Sequence, residues 1–287
     1  LGDPTTTVYP RSSLKPWQAA ALRRAGAMHD GVPLDGAALA IAAGSHDAAP
    51  RHLDLVRSML HGGGLDVDAL QTPPTLPGDE AARNAWLREG GDAVREASDC
   101  SGKHAGMLLA CVANDWPVAT YLSPDHPLQV TIRADVEAAL GRPVDHVAVD
   151  GCGAPLFAVR LDDLARAASR LGRGDEHDRA VHAAMRAHPW AVAGPGREDT
   201  VVMAHLEGTI AKSGADGVQL LATADGWAVV VKVLDGAHRA AMTAALALLD
   251  RADGVDVHAA ADAGREVVLG HGEPVGVVQP GADVRPD

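Results

Sequence analysis

Several stretches of the chain place apolar side chains at helical spacing, and one of them lies close to the N-terminus. Residues 11–27 combine this spacing with Pro16 near the start. Proline is tolerated in the first turn of a helix, where its missing N–H would have no intrahelical partner. Ser12 or Ser13 is the expected N-terminal cap. The same patterns predict further helices over residues 48–60, 79–89, 102–113, 164–168, 176–187 and 236–249.

Short apolar runs bounded by glycine-containing turns predict strands. The strands cluster late in the chain, whereas helices occupy the middle, and this arrangement favours an α+β fold with antiparallel strands over a βαβ array. No internal repeat or linker interrupts the pattern, so we expect one domain over residues 1–287. The predicted strands cover residues 146–149, 156–161, 207–212, 218–222, 227–233 and 266–269.

Composition and charge narrow the classes of function. The 287 residues are 47% hydrophobic, which is typical of a globular chain. With 38 acidic and 25 basic side chains the net charge is −13, which argues against a nucleic-acid partner because phosphate binding needs a basic face. The longest apolar runs, such as residues 228–231, are far shorter than a membrane span. No signal sequence is recognisable at the start, but the chain begins at Leu1 and not at Met, so this absence is weak evidence. A cytoplasmic location is expected.

A Ser-x-x-Lys element stands at the start of the first predicted helix. Ser12 and Lys15 are three residues apart, so they share a helix face and can approach each other. A serine hydroxyl becomes a good nucleophile when a base takes its proton, and a desolvated lysine can be that base. On its own, however, the element is more typical of a capping serine beside a surface lysine.

Two further elements strengthen the catalytic interpretation. Ser98–Asp99–Cys100 lies in the middle of the chain, and Lys212–Ser213–Gly214 ends a predicted strand. Serine-reactive, penicillin-recognising enzymes carry Ser-x-x-Lys, Ser-x-Asn and Lys-Thr-Gly in this order. Cys100 stands where their asparagine would be, which counts against a β-lactamase.

Three segments together resemble the Rhizobium-type L-asparaginases, the asparaginase II family. They are residues 9–16 (YPRSSLKP), 99–107 (DCSGKHAGM) and 150–155 (DGCGAP). The resemblance extends over nearly the whole chain, from Tyr9 to residues 284–286. Three separate motifs in the family's order argue against a chance match.

The resemblance implies a fold and a reaction. The fold would be like that of serine β-lactamases and glutaminases, with an antiparallel sheet packed on a helical subdomain. The reaction would be hydrolysis of L-asparagine to L-aspartate and ammonia. Ser12 is similar to the family's nucleophile and Lys15 to its activating partner. Ser45 and Lys212 resemble a second Ser–Lys pair beside the first.

The resemblance also implies how substrate is bound. Arg11 and His104 would hold the carboxylate and polar groups of asparagine. This agrees with the chemistry, because the α-carboxylate needs a cation and Arg11 is next to the predicted nucleophile. Related enzymes pair as dimers, so a homodimer is expected.

By the same resemblance, Cys100, Lys103 and Cys152 are expected to bind zinc, with the catalytic-site residue Asp150 beside them through water. Thiolates suit Zn²⁺. A lysine ligand is unusual, because its amine must first lose a proton with a reference pKa of about 10.4, although a nearby cation favours that loss. Since serine already serves as the nucleophile, the ion is expected to organise the pocket.

Two alternatives stay open. One is a hydrolase of another small amide, such as glutamine or a β-lactam, although the cysteine in the middle motif weighs against β-lactams. The other is a zinc-binding homologue retired from catalysis. Family members usually carry a strand pair before the Ser-x-x-Lys helix, so either upstream residues are absent here or the chain is a shortened relative with an exposed sheet edge.

Cys111, on the apolar side of a predicted helix, is expected to be an ordinary core thiol.

Overall fold

The computed structural model describes residues 2–282 and residue 284. Helices and small antiparallel sheets occur together, which confirms the α+β prediction, whereas the likeness to serine β-lactamases stays a prediction. The helices are α1 Lys15–Arg24, α2 Gly36–Ala42, α3 Pro50–Gly62, α4 Glu80–Arg88, α5 Ser101–Ala113, α6 Pro127–Leu140, α7 Leu161–Leu171, α8 Glu176–Ala187, α9 Pro189–Val192, α10 Glu198–His205 and α11 Ala241–Leu249. The strands are β1 Thr7–Val8, β2 Met28–His29, β3 Val32–Pro33, β4 His146–Val149, β5 Pro155–Arg160, β6 Thr209–Gly214, β7 Val218–Thr223, β8 Ala228–Lys232, β9 Val267–Gly270 and β10 Glu273–Val277. Within these described residues, no helix is both long and apolar enough to cross a bilayer.

One three-stranded antiparallel sheet, in the order β6–β7–β8, carries part of the site described below. The turn from β6 to β7 contains Asp216 and Gly217, both with positive φ, as a tight hairpin requires. Every residue of β7 is buried, because helices α7 and α11 pack against the sheet. Strand β8 forms one edge of this sheet and is half-buried along its length.

A second antiparallel sheet, in the order β1–β5–β4, presents one of the predicted metal ligands. The turn between β4 and β5 is closed by a hydrogen bond from the Asp150 N–H to the Ala154 carbonyl, at 2.9 Å. Gly153 in this turn has φ +86°, an angle that favours glycine. Cys152 therefore lies at the tip of a tightly defined turn and is buried there.

Helix α5 packs closely into the helical core through two glycines. A Cβ at Gly102 would lie 2.7 Å from the Ile41 carbonyl oxygen, and one at Gly106 would lie 2.9 Å from the Leu22 side chain. Only glycine allows these approaches without rearrangement. Farther along the same helix Cys111 is completely buried, which confirms its prediction as a core thiol.

The N-terminal helix differs from its prediction. A 3₁₀ turn, Arg11–Leu14, precedes α1, and Arg11 has φ +53°, which a right-handed helix cannot contain. Neither Ser12 nor Ser13 caps the helix, so that prediction is wrong. The Ser13 hydroxyl instead donates to the Pro10 carbonyl at 2.7 Å, which ties the turn to the segment before it.

Most other predicted elements are present with shifted ends, but helices α2, α6, α9 and α10 were not predicted. Helix α2 is buried over most of its length, so it has no polar face that would reveal a helical period. The helix predicted over residues 236–249 is α-helical only from Ala241, because the 3₁₀ turn His238–Ala240 comes before it. The short helix predicted over residues 164–168 is the longer α7.

Candidate active site

A cavity of about 700 Å³ opens beside the end of strand β6. Most of its lining comes from three distant parts of the sequence: the loop around residues 45–47, the segment 193–199, and residues 213–216. Both predicted serines, Ser12 and Ser45, line it. The other lining residues include His46, Asp47, Gly78, Asp99, Ala193, Arg197, Glu198, Asp199, Ser213, Gly214, Asp216, His238, Arg239 and Glu266.

The loop that carries Ser45 is held by its own backbone. The Ser45 N–H donates to the Val192 carbonyl at 2.7 Å, and the Asp47 N–H donates to the Ala193 carbonyl at 2.9 Å. A Cβ at Gly44 would lie 2.7 Å from the Val192 carbonyl oxygen. Glycine is therefore needed for the loop to approach this closely, and Ser45 follows it in a fixed backbone.

Two lysines meet at the hydroxyl of Ser45, and we call these three residues the Lys–Ser–Lys cluster. The Nζ of Lys15 lies 2.9 Å from Ser45 Oγ and donates to the Gly44 carbonyl at 2.6 Å. The Nζ of Lys212 lies 3.1 Å from the same Oγ and donates to the Ser213 carbonyl at 2.7 Å. Both lysines are completely buried. The structure therefore brings together the predicted pair of Ser45 and Lys212, with Lys15 as a third member.

Burial lowers the pKa of Lys212 to about 8. The Asp199 carboxylate opposes this shift and the Lys15 ammonium adds to it. Asp199 is itself held in place, because it accepts hydrogen bonds from the Ser213 N–H at 2.8 Å, the Ser213 hydroxyl at 2.7 Å and the Gln219 amide at 3.0 Å. An amine with a pKa near 8 is partly neutral near neutral pH, so it can accept a proton there.

Ser12 lies on the 3₁₀ turn before α1, with its hydroxyl beside the cavity. Among the described residues this hydroxyl has no hydrogen-bond partner, and the Lys15 amine bonds to Ser45 instead. A Cβ at Gly214 would overlap the Pro10 carbonyl oxygen, so strand β6 and the Ser12 turn are in close contact. Ser12 therefore carries an unbonded hydroxyl, and its backbone is held in place by the close contact with strand β6.

Two carboxylates beside the cluster were not among the predicted site residues. Asp99 lines the cavity; desolvation raises its pKa, but Lys15 and His46 outweigh that effect and the net pKa lies below its ordinary value. Its ionised form offsets the charge of the lysines. Asp99 belongs to the Ser98–Asp99–Cys100 motif, which could have suggested it. Asp199 lies in no motif, and only the fold identifies it as a residue of the site.

The three predicted metal ligands form a second buried group, which we call the thiol–lysine cluster: Cys100, Lys103 and Cys152. Cys100 immediately precedes α5 and Lys103 lies in its first turn. The Nζ of Lys103 lies 3.4 Å from the Sγ of Cys152. Hydrogen bonding between the two thiols raises the pKa of Cys100 and lowers that of Cys152, and the Lys103 ammonium lowers the latter further. The cluster therefore favours a protonated Cys100, an ionised Cys152 and a charged Lys103.

This donor set fits a soft divalent ion. Within the described residues, no three His, Cys, Asp or Glu side chains group together as a metal site. The residues that do converge are two cysteines from separate segments and a lysine three residues from one of them. Sulfur and nitrogen are the donors that zinc prefers, and one thiol is already held as a thiolate.

His104, predicted to bind substrate, faces the thiol–lysine cluster. It is completely buried, and it does not line the cavity. Its Nδ1 is 2.7 Å from the Tyr121 hydroxyl. Burial lowers the pKa of His104, and its proximity to Cys152 opposes that shift. A role in shaping the thiol–lysine cluster fits this location better than contact with a ligand in the cavity.

Arg11, the other predicted substrate ligand, is paired with two carboxylates. Its Nε donates to Asp150 at 2.8 Å, and its Nη1 donates to Asp216. Burial lowers the pKa of Arg11, but Asp150 and Asp216 outweigh it, and the net pKa is raised. Asp150 also raises the pKa of Lys103, so it lies near the thiol–lysine cluster. Asp150 therefore lies between the predicted substrate ligand and the predicted metal ligands.

The chain matches the family model described as L-asparaginase II over residues 1–280 of 287. The match includes every predicted site residue, from Arg11 to Lys212. A search of curated proteins finds no match to the chain.

Proposed function

Because this chain belongs to the L-asparaginase II family, we propose that it hydrolyses the side-chain amide of L-asparagine to give L-aspartate and ammonia. Family membership supports an asparagine amidohydrolase in general; the steps and the zinc ion below are our proposal. The observation on which it rests is the pair of lysines at Ser45, on the wall of a cavity that also holds the free hydroxyl of Ser12.

In the first step, Ser12 Oγ attacks the side-chain amide carbon of asparagine. The Oγ–C bond forms as the C–N bond breaks, and the serine proton passes into the Lys–Ser–Lys cluster. Neutral Lys212 is the acceptor, and Ser45 relays the proton because its hydroxyl contacts both amines. The cluster then gives a proton to the departing nitrogen, which leaves as ammonia.

In the second step, water hydrolyses the aspartyl ester on Ser12. Water gives its proton to the cluster and its hydroxyl to the ester carbon, and Ser12 Oγ leaves and recovers a proton. The ionised Asp99 favours the cationic form of the cluster while it holds the proton. The enzyme returns to its starting protonation state with aspartate as product.

We also propose that Cys100, Lys103 and Cys152 hold a zinc ion, with Asp150 nearby. When bound, zinc would cross-link the start of α5 to the β4–β5 turn and so organise one side of the pocket. We expect Cys100→Ser and Cys152→Ser to lose bound zinc, measured as metal content of the purified protein. Cys111→Ala is the matched control, because this thiol lies in the core of the same helix, and it should retain zinc. Equal zinc content in all three variants would refute the site.

The reaction is tested by ammonia release from L-asparagine with the wild type, Ser12→Ala and Ser45→Ala. Ser12→Ala should abolish turnover and the aspartyl adduct that mass spectrometry of quenched reactions detects on the wild type. Ser45→Ala should slow turnover while the adduct still forms on Ser12. Ser169→Ala, a half-buried serine on α7 that does not line the cavity, is the control and should behave like the wild type. An adduct on Ser45 would reassign the nucleophile, and no turnover by a folded wild type would refute the function.

Glutamine is the second candidate substrate, and the cavity is large enough to hold it. A volume of about 700 Å³ accommodates a side chain longer by one methylene, and such a difference changes binding by only about 1–3 kcal/mol. The ratio of kcat/KM for the two amides measures this preference. A zinc-containing protein without turnover on either amide would favour the retired homologue. The homodimer and the cytoplasmic location stay predictions.

A further inference from the structure

The cavity is rich in carboxylates, although the substrate that we propose for it carries a carboxylate of its own. Acidic side chains outnumber basic ones among the described lining residues. An anion is repelled by such a wall unless a cation faces it. The acidic lining residues are Asp47, Asp99, Glu198, Asp199, Asp216 and Glu266, and the basic ones are Arg197, His238 and Arg239. His46 also lines the cavity, but burial lowers its pKa to about 3, so it is neutral near neutral pH.

Two cations near the cavity are already paired. Arg11, which the sequence suggests for the substrate carboxylate, is bonded to Asp150 and Asp216 and does not line the cavity. His238 Nε2 lies 3.3 Å from the Glu198 carboxylate. A substrate carboxylate would have to break these ion pairs to use either cation.

Arg197 and Arg239 are different, because in the described part of the chain neither guanidinium makes a hydrogen bond or an ion pair. Arg197 is close enough to Asp47 to help lower the pKa of that carboxyl, but it is not bonded to it. Of the two, Arg197 lies on a segment that is fixed on both sides. Before it, the Ala193 carbonyl accepts the N–H of Asp47 in the Ser45 loop. After it, Asp199 accepts two hydrogen bonds from the end of strand β6. Arg197 is therefore held between two walls of the cavity.

We infer that Arg197 binds the α-carboxylate of the substrate, in the role that the resemblance gave to Arg11. This inference rests on the proposed function and names the recognition element of the same site. An arginine binds a carboxylate through two parallel N–H donors, which orients it as well as attracts it. Arg11 then serves to hold Asp150 and Asp216 in place.

The test compares asparagine with 3-aminopropanamide, which has the same amide and amine but lacks the α-carboxylate. Arg197→Gln should lower kcat/KM for asparagine by about 10- to 100-fold, mainly through KM, because a charge-assisted contact is lost. Its kcat/KM for 3-aminopropanamide should stay near that of the wild type. Arg197→Lys should recover part of the loss, and Arg88→Gln, an exposed arginine on α4, should change neither rate.

The values of kcat/KM for the same two amides are also measured for Arg239→Gln and Arg11→Gln. A selective loss on asparagine in either of these variants, with none in Arg197→Gln, would overturn the inference. Equal losses of Arg197→Gln on both amides would overturn it too, because they would indicate a structural effect.

Titration of the same variants with L-aspartate separates this inference from the proposed function. A wild type without turnover on asparagine would refute the proposed function, but aspartate binding that weakens selectively in Arg197→Gln would still support the inference. No aspartate binding to the wild type, or equal binding in both proteins, would refute it.

Discussion

The Lys–Ser–Lys cluster and the thiol–lysine cluster each bury a lysine completely, but the pKa shifts of these lysines are opposite. Burial lowers the pKa of Lys212 to about 8, and the neighbouring Lys15 lowers it further. Burial also acts to lower the pKa of Lys103, but Cys152 and Cys100 outweigh it and the net pKa is raised. Lys212, beside a hydroxyl and a second amine, is thus suited to act as a base. Lys103, beside two cysteine sulfurs, is held in its charged form.

The opposite pKa shifts suggest different roles for buried lysines in the two clusters. The chain has four lysines, and three of them are buried in these two clusters. Lysine is seldom fully buried without a partner, so each buried lysine needs an explanation in its neighbours. Hydroxyl and carbonyl contacts leave Lys212 able to exchange a proton. Cys152 and Cys100, in contrast, raise the pKa of Lys103 and so favour its charged form.

Removing the proposed base has the largest expected effect. Lys212→Met keeps a side chain of similar length without an amine, and we expect kcat for asparagine to fall by about 10²- to 10⁴-fold. Lys232→Met is the matched control on the same sheet, because among the described residues that amine donates hydrogen bonds only to the backbone carbonyls of Asp216 and Val233. Steady-state ammonia release compares the two. Similar rates in both variants would contradict the assignment of Lys212.

The corresponding change in the other cluster is expected to affect stability. Lys103→Met removes a buried cation beside Cys152, which raises the pKa of that thiol, although its hydrogen bond with Cys100 still acts to lower the pKa. We expect the free energy of unfolding to fall by about 2 kcal/mol. This is less than the loss from breaking a buried ion pair whose remaining partner stays charged, because a cysteine can take up a proton. Urea denaturation of the metal-free protein measures this change, with Lys232→Met again as the control. Unchanged stability would mean that the ion pair of Lys103 has no net stabilising effect.

The pH dependence of catalysis should follow Lys212. Only the neutral amine accepts a proton, so kcat/KM should rise with pH up to about 8 and level off above it. Asp199 raises the pKa of Lys212, so Asp199→Asn should move the midpoint to lower pH. Asp162→Asn, on the surface of α7, should leave the midpoint in place. A midpoint that moves upward in Asp199→Asn would contradict the electrostatic account.

The smallest expected effect comes from Ser213→Ala. The hydroxyl is one of three donors to the Asp199 carboxylate, and the Ser213 N–H remains after the change. We expect a loss of about 1 kcal/mol in the free energy of unfolding, typical of one hydrogen bond. Because the charge of Asp199 stays, the pH midpoint should stay close to that of the wild type. A shift as large as in Asp199→Asn would mean that the position of the carboxylate, not its charge, sets the pKa of Lys212.

The sequence predicted those parts of the site that lie in local motifs. Ser12, Ser45, Cys100 and Lys212 all belong to or adjoin short, recognisable segments, and the structure brings Ser45 and Lys212 into contact as expected. The capping role of Ser12 or Ser13 failed because α1 begins after Leu14, and no N–H of its first turn donates to either serine; the Ser13 hydroxyl donates to the Pro10 carbonyl instead. Local patterns cannot rank such competing partners.

Other parts of the site depend on contacts between distant segments. Asp199 became identifiable only when the fold placed it against Ser213 and Gln219, and Arg197 only when the cavity walls were known. The pairing of Arg11 with Asp150 and Asp216 spans residues far apart in sequence. Helix α2 was missed for a related reason, because a helix buried on most sides has no polar face for a pattern to detect.

The central claim is that Lys212 is a base of lowered pKa whereas Lys103 is a fixed cation. With only four lysines in the chain, NMR of protein labelled at lysine Cε can follow each amine through a pH titration, and the Lys→Met variants assign the signals. In the metal-free protein, Lys212 should titrate with a midpoint near 8, while Lys103 stays charged well above that pH. A Lys212 that stays charged over the same range as Lys103 would contradict the account.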